Sequence, residues 1–253
     1  MAASSRVLYA IATIATGCAQ PRNAPIEPFF DDGKADGRGS KLALVEDFEV
    51  SIEEPSDLVF ADGELYGISD RHGWIYRIDV TGSNDGDTDK VLDVDRRDLE
   101  ALAWDGENFL VGDESSGKVW RVAGNGDTRD PVELPDLTDG NSGIEGLTFD
   151  DDGVLLVGKE KDPAQIYVVD GEDVSEHDVD FADDVSALSW NAWDAKLYAL
   201  SDEEHALYRL NKDFEKTKAW RLPIEHPEGL AFDGDTVYVV SDSEARLYVF
   251  ELE

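Results

Sequence analysis

The chain has 253 residues, of which 41% are hydrophobic, a fraction large enough to bury a core and to argue against a disordered protein. It carries 58 acidic and 22 basic residues, which gives a formal net charge of -36. Such a surface repels phosphate backbones and anionic lipid head groups, so it argues against nucleic acid as a partner and favours cations. Solubility, or adaptation to a salty medium, would account for most of the same carboxylates.

The first 18 residues have the layout of a secretory signal. The stretch "MAASSRVLYAIATIATGCAQ" has a polar start with Arg6, an apolar run from Val7 to Ala15, and small residues up to Cys18. The apolar run is too short to span a bilayer as a permanent helix. The sequence therefore predicts a signal peptide over residues 1–18 and secretion across the inner membrane.

Cys18 is the single cysteine of the chain, so no internal disulfide can form. Ala15-Thr16-Gly17-Cys18 resembles a bacterial lipobox, in which the cysteine is lipidated and becomes the mature N-terminus. The resemblance implies an outer-membrane-anchored lipoprotein, periplasmic or at the surface, that meets the membrane only through its lipid. Plain secretion with cleavage after Gly17 is the alternative.

Residues 19–41 are rich in Pro, Gly, Asp and Ala and have no hydrophobic periodicity, which is typical of a flexible tether. Phe29 and Phe30 are the one apolar spot in this segment and are candidates for docking on the folded domain. That domain is predicted to span residues 42–253.

One unit recurs five times in the rest of the chain. Its anchor is a small or acidic residue followed by leucine, and the five leucines lie 44, 45, 41 and 42 residues apart: Leu58, Leu102, Leu147, Leu188 and Leu230. A short apolar strand with an aromatic residue follows each leucine, then a turn such as Asp-Gly, and then two more strands. A repeat of about 40–45 residues with about four strands is typical of a β-propeller blade.

The strand count predicts how the ring closes. The last copy ends with its third strand near Glu253, whereas "LALVEDFEVS", starting at Leu42, has no blade of its own. Pairing this N-terminal strand onto the last blade completes the ring and removes an exposed edge. The prediction is an all-β, five-bladed β-propeller with four-stranded blades and few helices.

The repeats also carry a family resemblance. "IEGLTFD" and "PEGLAFD" in the first strands, "SD" or "GDE" at the ends of second strands, and "YRID" in a third strand resemble the SdiA-regulated family of secreted bacterial β-propellers. The likeness covers most of the chain from Leu42 to Glu253, and gluconolactonase, strictosidine-synthase and phytase-like propellers share parts of it. It implies a periplasmic or surface propeller that binds calcium, and it brings no defined activity.

The anchor residues are expected to converge at one mouth of the central channel. Glu100, Glu145 and Glu228 would face one another there, beside Ser56 and Ser186 of the other two blades. Three glutamates in a partly desolvated channel either take up protons or bind a cation, and an all-oxygen carboxylate site suits calcium. The alternative is that each glutamate accepts backbone N–H groups of the next blade and fastens the two blades together.

The turns between second and third strands should return to the same mouth. The mouth-loop residues predicted in this way are Asp70, Asp113, Lys159, Asp202 and Asp242, with Glu114, Glu160 and Glu203 as further acids and Asp57 and Asp98 beside the anchors. Each turn aspartate could instead cap its own hairpin turn. Lys159 and Arg71 are the few positive charges expected in this acidic mouth.

Three histidines, His72, His205 and His226, fall in loops at the same mouth and are the candidates for a catalytic base beside a metal-bound water. Exposed loop histidines without a function are an equal alternative. "NDGDTD", from Asn84 to Asp89, resembles the start of a calcium loop but lacks its closing residues, and a solvated loop is preferred. Core packing accounts for Trp104, Trp120 and Trp190.

Three functions remain open on the sequence. The preferred one is a calcium-binding module that holds a small-molecule, polymer or protein ligand at the channel mouth, as a monomer. The alternative is a metal-dependent hydrolase of phosphoesters or lactones, in which Glu100, Glu145 and Glu228 hold the ion. By resemblance to gluconolactonase-like propellers, Ser56 and Ser186 stand where those propellers would place stronger ligands, which argues against catalysis. The third is a scaffold without a specific ligand.

Overall fold

The computed structural model describes residues 25–33, 41–82, 85–135, 137 and 143–253. Within these ranges the chain is all-β apart from one short 3₁₀ turn, Glu114–Ser116. No helix in this part has the length and hydrophobicity that crossing a membrane requires. The expected signal peptide, Cys18 and Asn84 lie outside the described residues.

The strands form five antiparallel sheets, and each sheet corresponds to one predicted blade. Blade 1 holds β3 (Pro55–Ala61), β4 (Glu64–Ser69), β5 (Trp74–Ile78) and β6 (Thr88–Asp93). Blade 2 holds β7 (Leu99–Trp104), β8 (Phe109–Asp113), β9 (Lys118–Val122) and β10 (Thr128–Glu133). Blade 3 holds β11 (Ile144–Phe149), β12 (Leu155–Lys159), β13 (Gln165–Asp170) and β14 (Asp173–Asp178). Blade 4 holds β15 (Ala187–Asn191), β16 (Lys196–Ser201), β17 (Ala206–Leu210) and β18 (Lys216–Arg221).

Blade 5 is completed by the N-terminal strand. It holds β19 (Pro227–Asp233), β20 (Thr236–Ser241), β21 (Arg246–Leu252) and β2 (Leu42–Glu49). Strand β2 pairs antiparallel with β21 along its whole length. The predicted closure is confirmed, and so is the five-bladed, four-stranded fold.

The hydrophobic core lies between the blades. Each of the five buried clusters combines side chains from two adjacent blades; one joins Tyr198 and Trp220 of blade 4 to Phe250 of blade 5. The first strands β3, β7, β11, β15 and β19 contact one another in order, and β19 contacts β3. These five strands therefore surround the central channel, which positions the site described below.

Small residues next to the anchors let the first strands approach closely. A Cβ atom at Gly146 would lie 2.4 Å from the backbone nitrogen of Leu188 in the next blade. At Gly229 it would lie 2.8 Å from the Cα atom of Asp57. Glycine is therefore required at these two positions by contact between backbones.

Blade 1 uses side chains to fasten itself to blade 2. Asp57 is completely buried, and its carboxylate accepts the N–H groups of Leu58, at 2.8 Å, and Leu102, at 2.7 Å. Ser56 Oγ donates to the carbonyl oxygen of Leu99 at 2.6 Å. Ser186 Oγ makes the same kind of contact between blades 4 and 5, with Pro227. Contacts of the kind considered for the anchor glutamates are thus made by Asp57 and the two serines, from blade 1 to blade 2 and from blade 4 to blade 5.

Part of the segment before the propeller lies on blade 4. Strand β1 (Phe30–Asp31) pairs antiparallel with β18 at the outer edge of the blade. The Phe29 ring meets Tyr208 edge-on with the centroids 6.4 Å apart, and Asp31 forms an ion pair with the buried Lys218 at 3.2 Å. The apolar pair Phe29–Phe30 is therefore a docking element of blade 4.

Candidate functional site: an acidic channel mouth

The starts of the five first strands and the turns between second and third strands meet around one cavity of about 400 Å³. Every blade contributes acidic side chains to its lining. The twelve acids are Glu54, Asp70, Asp98, Glu100, Glu114, Glu145, Glu160, Asp184, Asp202, Glu203, Glu228 and Asp242. Among the residues that the structure describes, Lys161 is the one basic residue in the lining. The predicted convergence of carboxylates at one mouth of the channel is present.

A β-bulge places the anchor residues at the cavity. The pairing register shifts between Leu99 and Ala101, which leaves Glu100 without a partner in the neighbouring strand. The same shift occurs at Glu145 and at Glu228, and blade 1 has one at Ser56 and Asp57. An extra residue bends the strand and re-aims its side chain, so the bulge turns each glutamate into the lining of the channel.

The tightest group of carboxylates belongs to blade 2. Single oxygens of Asp98, Glu100 and Glu114 all lie within 4.8 Å of one another. Asp98 has a left-handed backbone with φ of 60°, and its carbonyl accepts the N–H group of Glu114 at 3.1 Å. This bond ties the loop before β7 to the 3₁₀ turn after β8, which brings the three acids together.

Asp113 caps the N-terminus of the 3₁₀ turn Glu114–Ser116. It is 2% exposed, and its carboxylate accepts the N–H group of Ser116 at 3.3 Å and the hydroxyl of Ser115 at 2.5 Å. Gly117, with φ of 62°, ends the turn. Asp113 therefore caps its own turn, which is the alternative foreseen for the turn aspartates, and it does not line the cavity.

The cavity raises the pKa values of its carboxyl groups. Burial, with neighbouring carboxylates adding to it, raises the pKa of Glu100 to about 9 and that of Glu228 to about 8. Burial likewise raises the pKa of Glu145 well above its ordinary value, with Glu100 as the next cause. Burial and the charge of Glu54 raise the pKa of Asp70 to about 6. At neutral pH Glu100 and Glu228 therefore hold protons unless a cation compensates their charge.

Two oxygen atoms of the lining are buried without a hydrogen bond. They are Oδ1 of Asp70 and Oδ1 of Asp202, from the mouth turns of blades 1 and 4. Within the described residues, the carboxylates of Glu100, Glu145 and Glu228 also accept no hydrogen bond from a neighbouring blade. Carboxylate oxygens that lack donors are available to a cation.

The basic residue in the cavity lining is not one of the two that the sequence predicted at the mouth. Lys159 is 7% exposed, and its amine donates to the carbonyl oxygens of Lys161, at 2.7 Å, and Pro163, at 2.8 Å, so it supports the loop and does not enter the cavity. Lys161 lines the cavity instead and is paired with Glu160. Arg71 lies outside the lining, beside Glu53 and Glu54.

The three candidate histidines lie near the mouth but outside the cavity lining. His72 stacks on Trp74 with the ring centroids 4.5 Å apart. His205 Nδ1 lies 2.8 Å from the carbonyl oxygen of Ile224. His226 is nearest to the site, because its Nδ1 lies 3.3 Å from Oδ2 of Asp202.

Three charged residues of the lining were not foreseen from the sequence: Glu54, Lys161 and Asp184. The repeat could have predicted two of these residues, Glu54 and Asp184. Glu54, Asp98 and Asp184 each stand two residues before an anchor, at Ser56, Glu100 and Ser186. An acid at that offset in three of five copies marks the mouth as clearly as the anchors do.

Several solved structures have the same fold at low sequence identity. Glutaminyl cyclase from Myxococcus xanthus is 12% identical, with a TM-score of 0.63 over 84% of this chain and 96% of its own. A gluconolactonase from Xanthomonas campestris is 9% identical, with a TM-score of 0.57 over 93% and 99%. Virginiamycin B lyase from Staphylococcus aureus is 15% identical, with a TM-score of 0.51 over 79% of this chain and 66% of its own length. At such identities the likeness establishes the propeller fold alone.

The sequence itself matches a family of propellers more specifically. The model of the SdiA-regulated family matches residues 54–251, which include all strands from β3 to β20 and most of β21. The match covers more than three quarters of the chain and all five anchors. The chain belongs to the SdiA-regulated family.

Proposed function

We propose that this protein is a cell-envelope or secreted β-propeller that binds calcium at its acidic channel mouth and presents a ligand-binding surface there. The observation that carries the proposal is the group Asp98, Glu100 and Glu114, inside a cavity lined by twelve acids. Mutual repulsion and burial make that group unfavourable without a counter-charge.

The donor set fits calcium. Calcium takes six to eight oxygen ligands at about 2.3–2.6 Å, so ligand atoms on one ion lie no more than about 5 Å apart. The oxygens of Asp98, Glu100 and Glu114 meet that limit. No sulfur or imidazole group lines this cavity among the described residues, which disfavours zinc. These three residues would hold the ion, and the ion would supply a positive charge to which an anionic ligand could bind.

The other acids would have a different role. Glu145 and Glu228 come from blades 3 and 5 and line the same cavity. As neutral carboxylic acids they can donate hydrogen bonds to a bound ligand, and as anions they can ligate the ion. Lys161, held by Glu160, adds a cation at the rim. A ligand that combines anionic and hydroxyl groups matches this set.

Export and lipidation remain part of the proposal. They rest on the N-terminal sequence, with the apolar run before Cys18. Docking of Phe30–Asp31 on blade 4 supports a short reach between Cys18 and the propeller, because only residues 19–29 lie between them. A membrane anchor would then hold the outer edge of blade 4 towards the membrane.

A metal-dependent hydrolase of phosphoesters or lactones is the second candidate. It is favoured by the different pKa values within one cavity. Glu100, with a pKa of about 9, is protonated at neutral pH and can act as an acid, whereas Asp70, with a pKa of about 6, is mostly ionised and can act as a base. It is disfavoured by the position of the histidines, since His72, His205 and His226 do not line the cavity. The binding module is therefore preferred.

The test is calcium binding by the whole protein and by one variant. Calcium should raise the midpoint of thermal unfolding in a saturable way, and a chelator should reverse the rise. Glu100→Gln should weaken calcium binding at least about tenfold, because it removes one carboxylate ligand. Glu172→Gln, at an exposed turn of blade 3, is the matched control and should leave the response unchanged.

Two outcomes decide against parts of the proposal. Absence of any shift at millimolar calcium removes the metal site. Calcium-dependent turnover of a lactone or phosphoester by the native protein, lost in Asp70→Asn with calcium binding retained, replaces the binding module by the hydrolase.

A further inference from the structure

The other mouth of the channel is lined by aromatic rings. Each blade contributes one ring from the last part of its first strand: Phe60, Trp104, Phe149, Trp190 and Phe232. All five line a single cavity of about 250 Å³, and all five are only partly buried. Core packing, expected for Trp104 and Trp190, therefore accounts for part of their surface only. We name this space the aromatic cavity.

Neighbouring groups hold the rings in place without filling the cavity. Phe60 stacks on Tyr238 with the centroids 6.0 Å apart, and Trp104 contacts Phe109 at 4.7 Å. The indole nitrogen of Trp190 donates to Oδ1 of Asp151 at 2.8 Å. A ring whose orientation is already fixed loses little entropy when a ligand binds against it.

The charged residues described in the lining of the aromatic cavity are all acidic. Asp150 and Asp151 line it, and no Lys, Arg or His is among its lining residues in the described part of the chain. Aromatic faces carry the negative part of a quadrupole, so the rings add to the attraction for positive charge. With a net charge of -36, the whole molecule also concentrates cations around it.

We propose that the aromatic cavity binds a small organic cation whose charged nitrogen carries alkyl groups, such as a quaternary ammonium group. Alkyl groups gain by contact with the five rings, and the charge gains from their faces and from Asp150 and Asp151. A metal ion would lose its water shell for aromatic carbon, and an anion would meet two carboxylates, so neither fits. This site is independent of the calcium site at the opposite mouth.

The probe is tetramethylammonium chloride, titrated into the full protein by calorimetry at constant ionic strength. We expect saturable binding, accompanied by a change in tryptophan fluorescence. The uncharged analogue 2,2-dimethylpropan-1-ol, which has a similar alkyl surface, should bind about tenfold more weakly because it lacks the cation–π attraction. Equal binding of the two probes, or no saturable binding of tetramethylammonium, overturns the proposal.

Variants locate the binding. Trp190→Leu should weaken tetramethylammonium binding about fivefold or more. Since Trp190 also packs on the core, Asp151→Asn is the second variant: it keeps an acceptor for the indole N–H group and removes only a charge. It should weaken binding, whereas Asp170→Asn, an exposed charge on the same blade, should not. An equal effect of both Asp→Asn changes would mean unspecific attraction, against the proposal.

Two controls show whether the probe binds at the aromatic cavity or at the acidic mouth: added calcium and the substitution Glu100→Gln. Tetramethylammonium binding at the aromatic cavity should be unaffected by millimolar calcium and by Glu100→Gln. Competition by calcium, or loss of binding in Glu100→Gln, would place the probe among the carboxylates at the other mouth and overturn the proposal.

Discussion

Glu145 shows how one residue acquires unusual chemistry in this fold. It is the single unpaired residue at the bulge of β11, and it is buried in a cavity with Glu100, Glu160 and Glu228 nearby. Burial and the charges of these neighbours raise its pKa, so the folded protein keeps a proton that an unfolded chain would release above its ordinary pKa of 4.5.

This difference predicts how stability depends on pH without calcium. Between the unfolded pKa of 4.5 and the folded values of about 8 for Glu228 and about 9 for Glu100, the folded state binds more protons than the unfolded state. The free energy of unfolding should therefore fall as pH rises through this window. Glu145→Gln should make the fall shallower and stabilise the calcium-free protein at pH 8. Urea unfolding in chelator across this pH range measures both effects, and a stability that rises with pH would contradict them.

At the scale of elements, the repeat explains what could be predicted. The alternation of "DG" turns with strands such as "ELYGIS" and "TVYVVS" is local information, and it gave the blades, their number and the shared mouth. The bulges were not predicted, because the skipped residue at Glu100 or Glu228 follows from contact with the neighbouring blade and not from the pattern of its own strand. The orientation of Lys159 was also not predicted, because it depends on hydrogen bonds to carbonyl oxygens of the following loop and not on the strand pattern.

Because the first strands approach each other closely, a methyl group added at Gly146 should lower the free energy of unfolding. In Gly146→Ala the new Cβ would meet the backbone of Leu188 at 2.4 Å, and neither strand can move without disturbing the ring. The expected loss is about 1–3 kcal/mol in the free energy of unfolding, measured in urea. Gly124→Ala is the matched control, because its Cβ would have no neighbour within 4 Å. Equal stability of the two variants would mean that the blades are not in backbone contact here.

At the scale of the whole molecule, closure of the ring depends on β2. This strand covers the outer edge of β21, and Arg246 bridges the two strands by pairing with Asp47 at 2.5 Å. Strand β1 covers the edge of β18 in the same way but with only two residues. We therefore expect the stability of the ring to depend on β2 and much less on β1.

Two deletions test this difference. Removal of residues 1–49 should expose the edge of β21 and cause aggregation or unfolding, because an uncovered edge recruits other strands. Removal of residues 1–33 keeps β2 and should leave a folded propeller. Size-exclusion chromatography and circular dichroism compare the two, and a stable monomer without residues 1–49 would contradict the role given to β2.

The calcium site proposed for the channel mouth depends on carboxylates that the ring of blades brings together. An anomalous-difference map from crystals grown in calcium is the sharpest test of this site. We expect one strong peak in contact with carboxylate oxygens of Asp98, Glu100 and Glu114. No peak in this cavity, with calcium present at millimolar concentration, would contradict the proposal.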